Sequence, residues 1–495
     1  MEKKDINGKD VEVSLELLSN YRKDTKVYRD TTSQITDDNP SFWLSKRLLV
    51  ATVLFISFVN FQLLRNNINI TIVEMISNKT IGTVNNTDIV KPPDFDWDSS
   101  TTGLITSILA YGGLFSIFAD LAINRIGGSV TCAWSMLLAG VLTMLHPAIL
   151  NLHFYLFLAC RFFTGIFEML FYVGTSDIFS RWFPMKEMSA LISFSFNGTN
   201  IGLAAVYPFC AYLAHKWGWQ MVFYVTGFMG VIFAILSLVL VKNQPSDDKW
   251  ISKKELAYIL EETNHTTKMN VSHPYWKILT SVPVWALCCT VFVYMWVTSV
   301  ISACLPLFIR DLTHKETDEI GYISSIPNIV YIFLFPIDGA IMDYWKNNSG
   351  ITVTRMHKII ISIAFLFASV MFVTVAVAFT SSLIASMSIF VLIQVPMSFV
   401  PIILQVLVVN LSADHSAVVG GLLSFFFSLS AIACQTMTGF MIPEHSLQEW
   451  NNCFYLAAAI SAFGAVIFML FGSSELQPWA LTSPSKKERH LSETD

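Results

Sequence analysis

The sequence predicts an all-α polytopic membrane protein, with twelve transmembrane helices in two six-helix halves. Three observations predict it. Of the 495 residues, 54% are hydrophobic and only 14% are charged, against about 25% charged in an ordinary soluble domain. Mean hydropathy is +0.55. The charges are confined to a few stretches, and between them apolar runs recur at lengths of about 20 residues, enough to cross a hydrocarbon core. The same composition excludes several function classes. A net charge of −5 with no basic domain leaves no electrostatic footprint for nucleic acid. No P-loop, HExxH or CxxC spacing is present, so ATP-driven transport, zinc hydrolysis and thiol redox chemistry lack their signatures. No nucleophile–base pair or metal set marks an enzyme, and no cofactor is implied beyond a co-transported proton or sodium ion.

Residues 1–46 form a polar, charged tail, expected to be disordered and cytoplasmic. No cleavable signal peptide is expected before the first apolar run, which is expected to act as an uncleaved signal-anchor. The first half, 47–241, holds runs near 48–76, 101–122, 130–150, 154–178, 189–213 and 220–241. Residues 242–280 are a hydrophilic linker, in which Ser252 and Glu255 form an S-x-x-E capping box that opens a short charged helix. The second half, 281–472, holds runs near 282–309, 320–343, 357–379, 382–411, 417–440 and 453–472, and 473–495 is a polar tail. The eight cysteines lie in or beside apolar runs and read as helix-packing residues rather than disulfides.

Lysine and arginine set the orientation. Lys3, Lys4, Lys9, Arg22, Lys23, Lys26, Arg29, Lys46 and Arg47 precede or open the first span, whereas the loop after it carries only Lys79 and Lys91. Arg181, Lys186, the linker, Arg355, Lys358, Lys486, Lys487 and Arg489 fall on the same side as the N-terminus, so both termini and the linker are expected to be cytoplasmic. Asn78 (N-K-T) and Asn85 (N-N-T) then lie in the first non-cytoplasmic loop as glycosylation acceptors. The tails carry no signal that chooses between plasma, vesicular and lysosomal membranes.

A charged side chain in mid-bilayer costs at least about 2.5–3.5 kcal/mol on the insertion scale, so each one asks for a reason. Arg65 sits mid-span in NFQLLRNNINITIVEM, and Arg161 and Glu168 lie in CRFFTGIFEMLFYVG. Seven residues make two turns, so Arg161 and Glu168 share a face about 10 Å apart along the axis. They could neutralise each other or pin neighbouring helices, while Arg65 needs a partner from another helix or a water-filled cavity. Alternatively the three form one constellation facing a polar cavity. Arginine offers a permanently charged planar fork for carboxylate or phosphate, and protonation of the glutamate would favour anion binding. Glu74 reads as a carboxylate at the membrane edge. Asp120 and Asp343 occupy comparable places near the ends of the second and eighth spans, as surface charges or as charged hinges of the two halves.

Several motifs carry a family resemblance. Arg65-Asn66-Asn67-Ile68-Asn69-Ile70 resembles R-x-N-L-S-V, and FDWDSSTTG from Phe95 to Gly103 is similar to F-x-W-x-x-x-T-x-G. Arg161-x-x-x-Gly165-x-x-Glu168 matches R-x-x-x-G-x-x-E, and Arg181-Trp182-x-Pro184-x-x-Glu187 matches R-W-x-P-x-x-E. Ser281 to Ala286 and Glu449-Trp450 through Trp479-Ala480 follow. From about Phe42 to Ala480 the chain thus resembles the anion:cation symporter branch of the major-facilitator transporters, which includes sodium/phosphate cotransporters, sialin and vesicular glutamate transporters. The resemblance implies anion handling at Arg65 and Arg161 and proton coupling at Glu168. The chain departs from the branch at Thr106, Ser176, Tyr294, Ser299 and Asn410. The expectation is a secondary transporter of a small organic or inorganic anion in the lipid bilayer, with Tyr294 and Trp296 as site walls. A sodium-coupled phosphate carrier, or a non-transporting receptor on a transporter scaffold, are the other readings.

Overall fold

The structure, a computed structural model, describes residues 45–480 except 77–78, 85–86, 92–93, 98, 263–273, 306–307, 310–311, 313–316, 349, 380–381, 413–414 and 443–445. The tail expected to be disordered therefore lies outside the described residues, apart from its last two positions, as do Asn78 and Asn85.

The first half comprises α1 (Lys46–Ile76), a second span made of α2 (Ser99–Gly113), a 3₁₀ turn (Leu114–Phe118) and α3 (Ala119–Ile126), then α4 (Gly128–Leu152), α5 (Phe154–Trp182), α6 (Met188–Trp217) and α7 (Trp219–Leu240). The linker carries α8 (Lys253–Glu262) and the short α9 (Tyr275–Leu279). The second half follows as α10 (Val282–Ser299) with a π turn (Val300–Cys304), α11 (Thr317–Asn348), α12 (Val353–Thr374) with a π turn (Val375–Phe379), α13 (Leu383–Met397) and α14 (Phe399–Ser412) as one span, α15 (Ser416–Met441) and α16 (Leu447–Phe471). Among the described residues ten spans are long and apolar enough to cross a membrane. With α6 and α11, of 30 and 32 residues, they make the twelve-helix architecture. Every expected apolar run falls on one of these helices. The break at Ser398 between α13 and α14 follows from Pro396 and Pro401, which withhold backbone donors from the helix ladder.

One element is new to the structure. The loop after α1 forms a hairpin, β1 (Lys79–Val84) with β2 (Thr87–Lys91), antiparallel from Lys79 opposite Lys91 to Val84 opposite Thr87. Its β-branched residues suit a pleated surface, but the run is too short and polar to register beside the long apolar helices.

Apolar side chains point both inward and outward, as a lipid-embedded bundle requires. Phe58, Phe171 and Phe196 pack in the first half, with Phe58 and Phe196 stacked at 4.5 Å. Phe118, Phe163, Phe228, Phe440 and Phe463 are exposed, on surface that lipid would cover. All eight cysteines are free thiols, in keeping with their reading as packing residues.

The halves meet with pseudo-twofold logic. The second helix of each half packs on the fifth of the other: the second span on α15, and α11 on α6. Hydrogen bonds between them fall toward the linker end. Asp343 caps the start of α6, accepting from the Ser189 and Ala190 amides at 3.3 and 2.7 Å. Lys346 donates to the Met185 carbonyl at 2.8 Å, and Asn197 to the Ile332 carbonyl at 3.1 Å. Asp343 is therefore a clasp between the halves and not a surface charge. Asp120 accepts from the Tyr275 hydroxyl of α9 at 2.7 Å.

The linker helix departs from expectation in one respect. Ser252 caps the Glu255 amide at 3.1 Å, but the Glu255 carboxylate turns away from the box to cap α1. It accepts from the Lys46 and Arg47 amides at 3.1 and 3.0 Å. Arg47, 1% exposed at its side chain, pairs with Glu187 at 2.8 Å and lies over the Tyr258 ring. Four orphan donors at the α1 N-terminus outcompete the single amide of a short helix for that carboxylate.

Candidate anion site

The site begins with a polar stripe on α1. Gln62, Arg65, Asn66 and Asn69 fall at helical spacing on one side, linked by Asn66 to the Gln62 carbonyl at 3.2 Å and Asn69 to Asn66 at 3.2 Å. Asn67 points the other way and docks on Thr226 of α7 at 3.1 Å, which fixes the rotation of α1. Arg65 then reaches toward α5. Its Nη1 lies 3.3 Å from Glu168 Oε2, and its guanidinium sits near the Phe61 ring. The Arg65 side chain keeps 23% exposure and that of Glu168 only 1%.

Arg161 lies two turns from Glu168 on α5. It is 1% exposed, and among the described residues none of its three guanidinium nitrogens has a hydrogen-bond partner. Both Arg65 and Glu168 stand within electrostatic range of it. The open question of how these charges pair thus has a geometric answer. Glu168 pairs across helices with Arg65, and Arg161 is left facing the pair with no partner of its own. Two cations and one carboxylate converge, with a net charge of +1 when Glu168 is ionised.

Gly165, between them in sequence, has a packing reason. A Cβ there would collide with the backbone carbonyl of Leu109 on α2, with its carbonyl carbon at 2.9 Å. Only glycine lets α2 and α5 approach this closely. The R-W-x-P-x-x-E motif that follows serves the scaffold. Arg181 pairs with Asp177 at 3.0 Å, Asp177 also caps Gly128 at the start of α4 at 3.1 Å, and Trp182 donates to the Lys242 carbonyl at 2.8 Å.

The two expected site walls part company, because positions 294 and 296 are about 200° apart on a helix. Tyr294 faces the first half, within electrostatic range of Tyr172 and with its hydroxyl toward Tyr331. Trp296 instead lines a small pocket inside the second half with Cys304, Thr438 and Trp450. Ser176 donates to Gln405 at 3.0 Å and Gln405 donates to the Tyr172 hydroxyl at 3.1 Å, tying α5 to α14. Sequence reading passed over Gln405 and Tyr172. It also missed His146, which is 1% exposed, has neither ring nitrogen partnered among the described residues, and lies within electrostatic range of Arg161. A histidine inside an apolar run was the available signal.

Among known proteins, the profile described as Major Facilitator Superfamily matches residues 50–434. The chain belongs to that superfamily. It is 26% identical over 464 residues to vesicular glutamate transporter 2.2 of Danio rerio, covering 91% of this chain and 78% of the relative. It is likewise 26% identical over 467 residues to vesicular glutamate transporter 2 of Homo sapiens, and 25% identical over 501 residues to vesicular glutamate transporter 1 of Xenopus tropicalis, where 99% of this chain is covered. In fold it is similar to the proton:xylose symporter XylE bound to 6-bromo-6-deoxy-D-glucose, with a TM-score of 0.64 at 14% identity over 87% of this chain and 96% of that one. This superfamily member is a multi-pass membrane transporter, with relatives in the anion:cation symporter branch over nearly its whole length.

Proposed function

We propose that this chain is a secondary active transporter of a small anion, coupled to a proton gradient, with both termini and the linker on the cytoplasmic side. The observation that carries the reading is Arg161, a buried guanidinium with no hydrogen-bond partner for any nitrogen among the described residues. A buried charge is disfavoured unless something pairs with it, and the group that fits a planar cationic fork is a carboxylate or phosphate. Arg65, held 3.3 Å from Glu168, supplies the second cation. When Glu168 takes a proton it releases Arg65, and the net charge of the site rises from +1 to +2. Anion and proton therefore bind cooperatively. The halves then rock about the site, exchanging the closure seen at the linker end for closure at the opposite end.

The test is uptake by the reconstituted chain into liposomes under an imposed pH or sodium gradient. Suitable probes are L-glutamate, the anion in the names of its curated relatives, and inorganic phosphate alongside other small carboxylates. A pH gradient should concentrate at least one of them, and Arg65→Ala should abolish that uptake. Accumulation driven by sodium alone would favour the phosphate-carrier reading, and binding without movement would favour a receptor.

A further inference from the structure

The second half holds a buried carboxylate of its own. Asp338 on α11 is 3% exposed, and its Oδ2 has no hydrogen-bond partner among the described residues. Among the described residues no arginine or lysine pairs with it. The nearest charged groups on its own helix are engaged elsewhere, Asp343 with the start of α6 and Lys346 with the Met185 carbonyl. From α10 and its own helix the titratable groups on this side are the hydroxyls of Tyr294 and Tyr331. Tyr331 faces both Tyr294 and Asp338 without closing a hydrogen bond of normal geometry. From the α13–α14 break comes Ser398, a near neighbour whose hydroxyl donates to the Val395 carbonyl at 2.7 Å. From α6 come Ser189 and Ser193, packed directly over Gly339, where a Cβ would strike the Ser193 hydroxyl. None of these neighbours is a cation. An ionised carboxylate in such a place is strongly disfavoured, and protonation is the way it becomes neutral.

A row of polar groups runs from Glu168 to this point. Glu168, Tyr172 and Ser176 repeat at four-residue spacing and share one face of α5. Gln405 bridges Tyr172 and Ser176 at 3.1 and 3.0 Å. Tyr172 stands within electrostatic range of Tyr294, whose hydroxyl faces Tyr331. The row crosses from one half to the other, whereas the aromatic cores on either side are apolar.

We infer that Asp338 is a second proton-binding site, in the half opposite Glu168, loaded while α11 packs on α6 and emptied when that contact opens at the linker end. The inference rests on the proton-coupled reading above and adds a site to it. The seal over Asp338 is Gly339 against Ser189 and Ser193, beside the Asp343 clasp, so the rocking that opens the linker end also wets this carboxylate.

The experiment is pH-difference infrared spectroscopy of the full chain reconstituted in liposomes, with isotope-labelled aspartate to separate aspartate from glutamate bands. It needs no knowledge of the anion. The wild type should show a protonated aspartate carbonyl in an apolar environment that vanishes on alkalinisation. Asp338→Asn should lose that band and bind one proton fewer per chain, while Asp343→Asn keeps it. Should Asp338→Asn fail to fold, Asp338→Glu must move the band from the aspartate to the glutamate set. The absence of any such aspartate band in the wild type, or its survival in Asp338→Asn, overturns the second site. The Glu168 reading fails separately, if Glu168→Gln leaves the glutamate bands and proton-driven uptake unchanged.

Discussion

Replacing Arg161 by methionine separates stability from binding, because the two should move in opposite directions. The guanidinium is 1% exposed and, among the described residues, has no hydrogen-bond partner at any of its three nitrogens, so the anion-free protein carries a desolvation penalty that hydrogen bonds do not offset. Replacing a whole buried ion pair or triad by apolar groups of similar volume is often neutral or stabilising by about 1–4 kcal/mol; removing Arg161 alone leaves the Arg65–Glu168 pair intact, so the gain lies at the low end of that range, and methionine has the length and flexibility to fill the space. Without anion, Arg161→Met should therefore melt no lower than the wild type, and higher if the full term is realised. Anion binding should suffer heavily. A bidentate contact supplies two hydrogen bonds to a charged group at about 1.5–3 kcal/mol each. With roughly 1.4 kcal/mol per decade, affinity should fall at least about a hundredfold. Arg161→Lys keeps charge without the fork and should lose about tenfold. Thermal unfolding with and without anion, beside tracer uptake, measures both. An Arg161→Met protein that is less stable without anion yet binds normally would refute the reasoning, since Arg161 would then be a satisfied structural charge.

Two further outcomes test the scaffold. Gly165→Leu should separate α2 from α5, because its Cβ would already meet the Leu109 carbonyl; folded yield should fall and the survivors should lose uptake, overpacking alone costing about 1–3 kcal/mol. Glu255→Ala removes the two-amide cap of α1 and one neighbour of Arg47. It should lower thermal stability by about 0.5–2 kcal/mol, the usual range for a lost cap, with part regained by Glu255→Gln, and protease should cut the linker sooner.

The fold was legible because its signal is one-dimensional. A run of apolar residues bounded by charges is a span whatever it packs against, so every helix from α1 to α16 that crosses the bundle could be read from hydropathy. The members of the site were legible for the same reason, since Arg65, Arg161 and Glu168 each stand out against lipid-like surroundings. What could not be read was who pairs with whom. The seven-residue spacing of Arg161 and Glu168 suggested a mutual pair, but the Arg65–Glu168 contact spans 103 residues of sequence and depends on the rotation that Asn67 imposes on α1. Glu255 fits a local capping box and is drawn to a distant helix end instead. Asp338 stands five residues before Asp343 near the same helix end, and its burial comes from packing against α6, which a single sequence does not display. Tyr172 and Gln405, neutral at any working pH, leave no charge signal at all.

The measurement that bears most directly on the central claim is transport by Glu168→Gln. The amide imitates the protonated carboxyl in size and charge, so the site is held at +2 and Arg65 is freed from its partner at 3.3 Å. Anion binding and exchange should persist, with their pH dependence flattened, and accumulation driven by a proton gradient should disappear because that group can no longer carry its proton back. A stable Glu168→Gln protein that still concentrates its anion in response to a pH gradient would contradict the account.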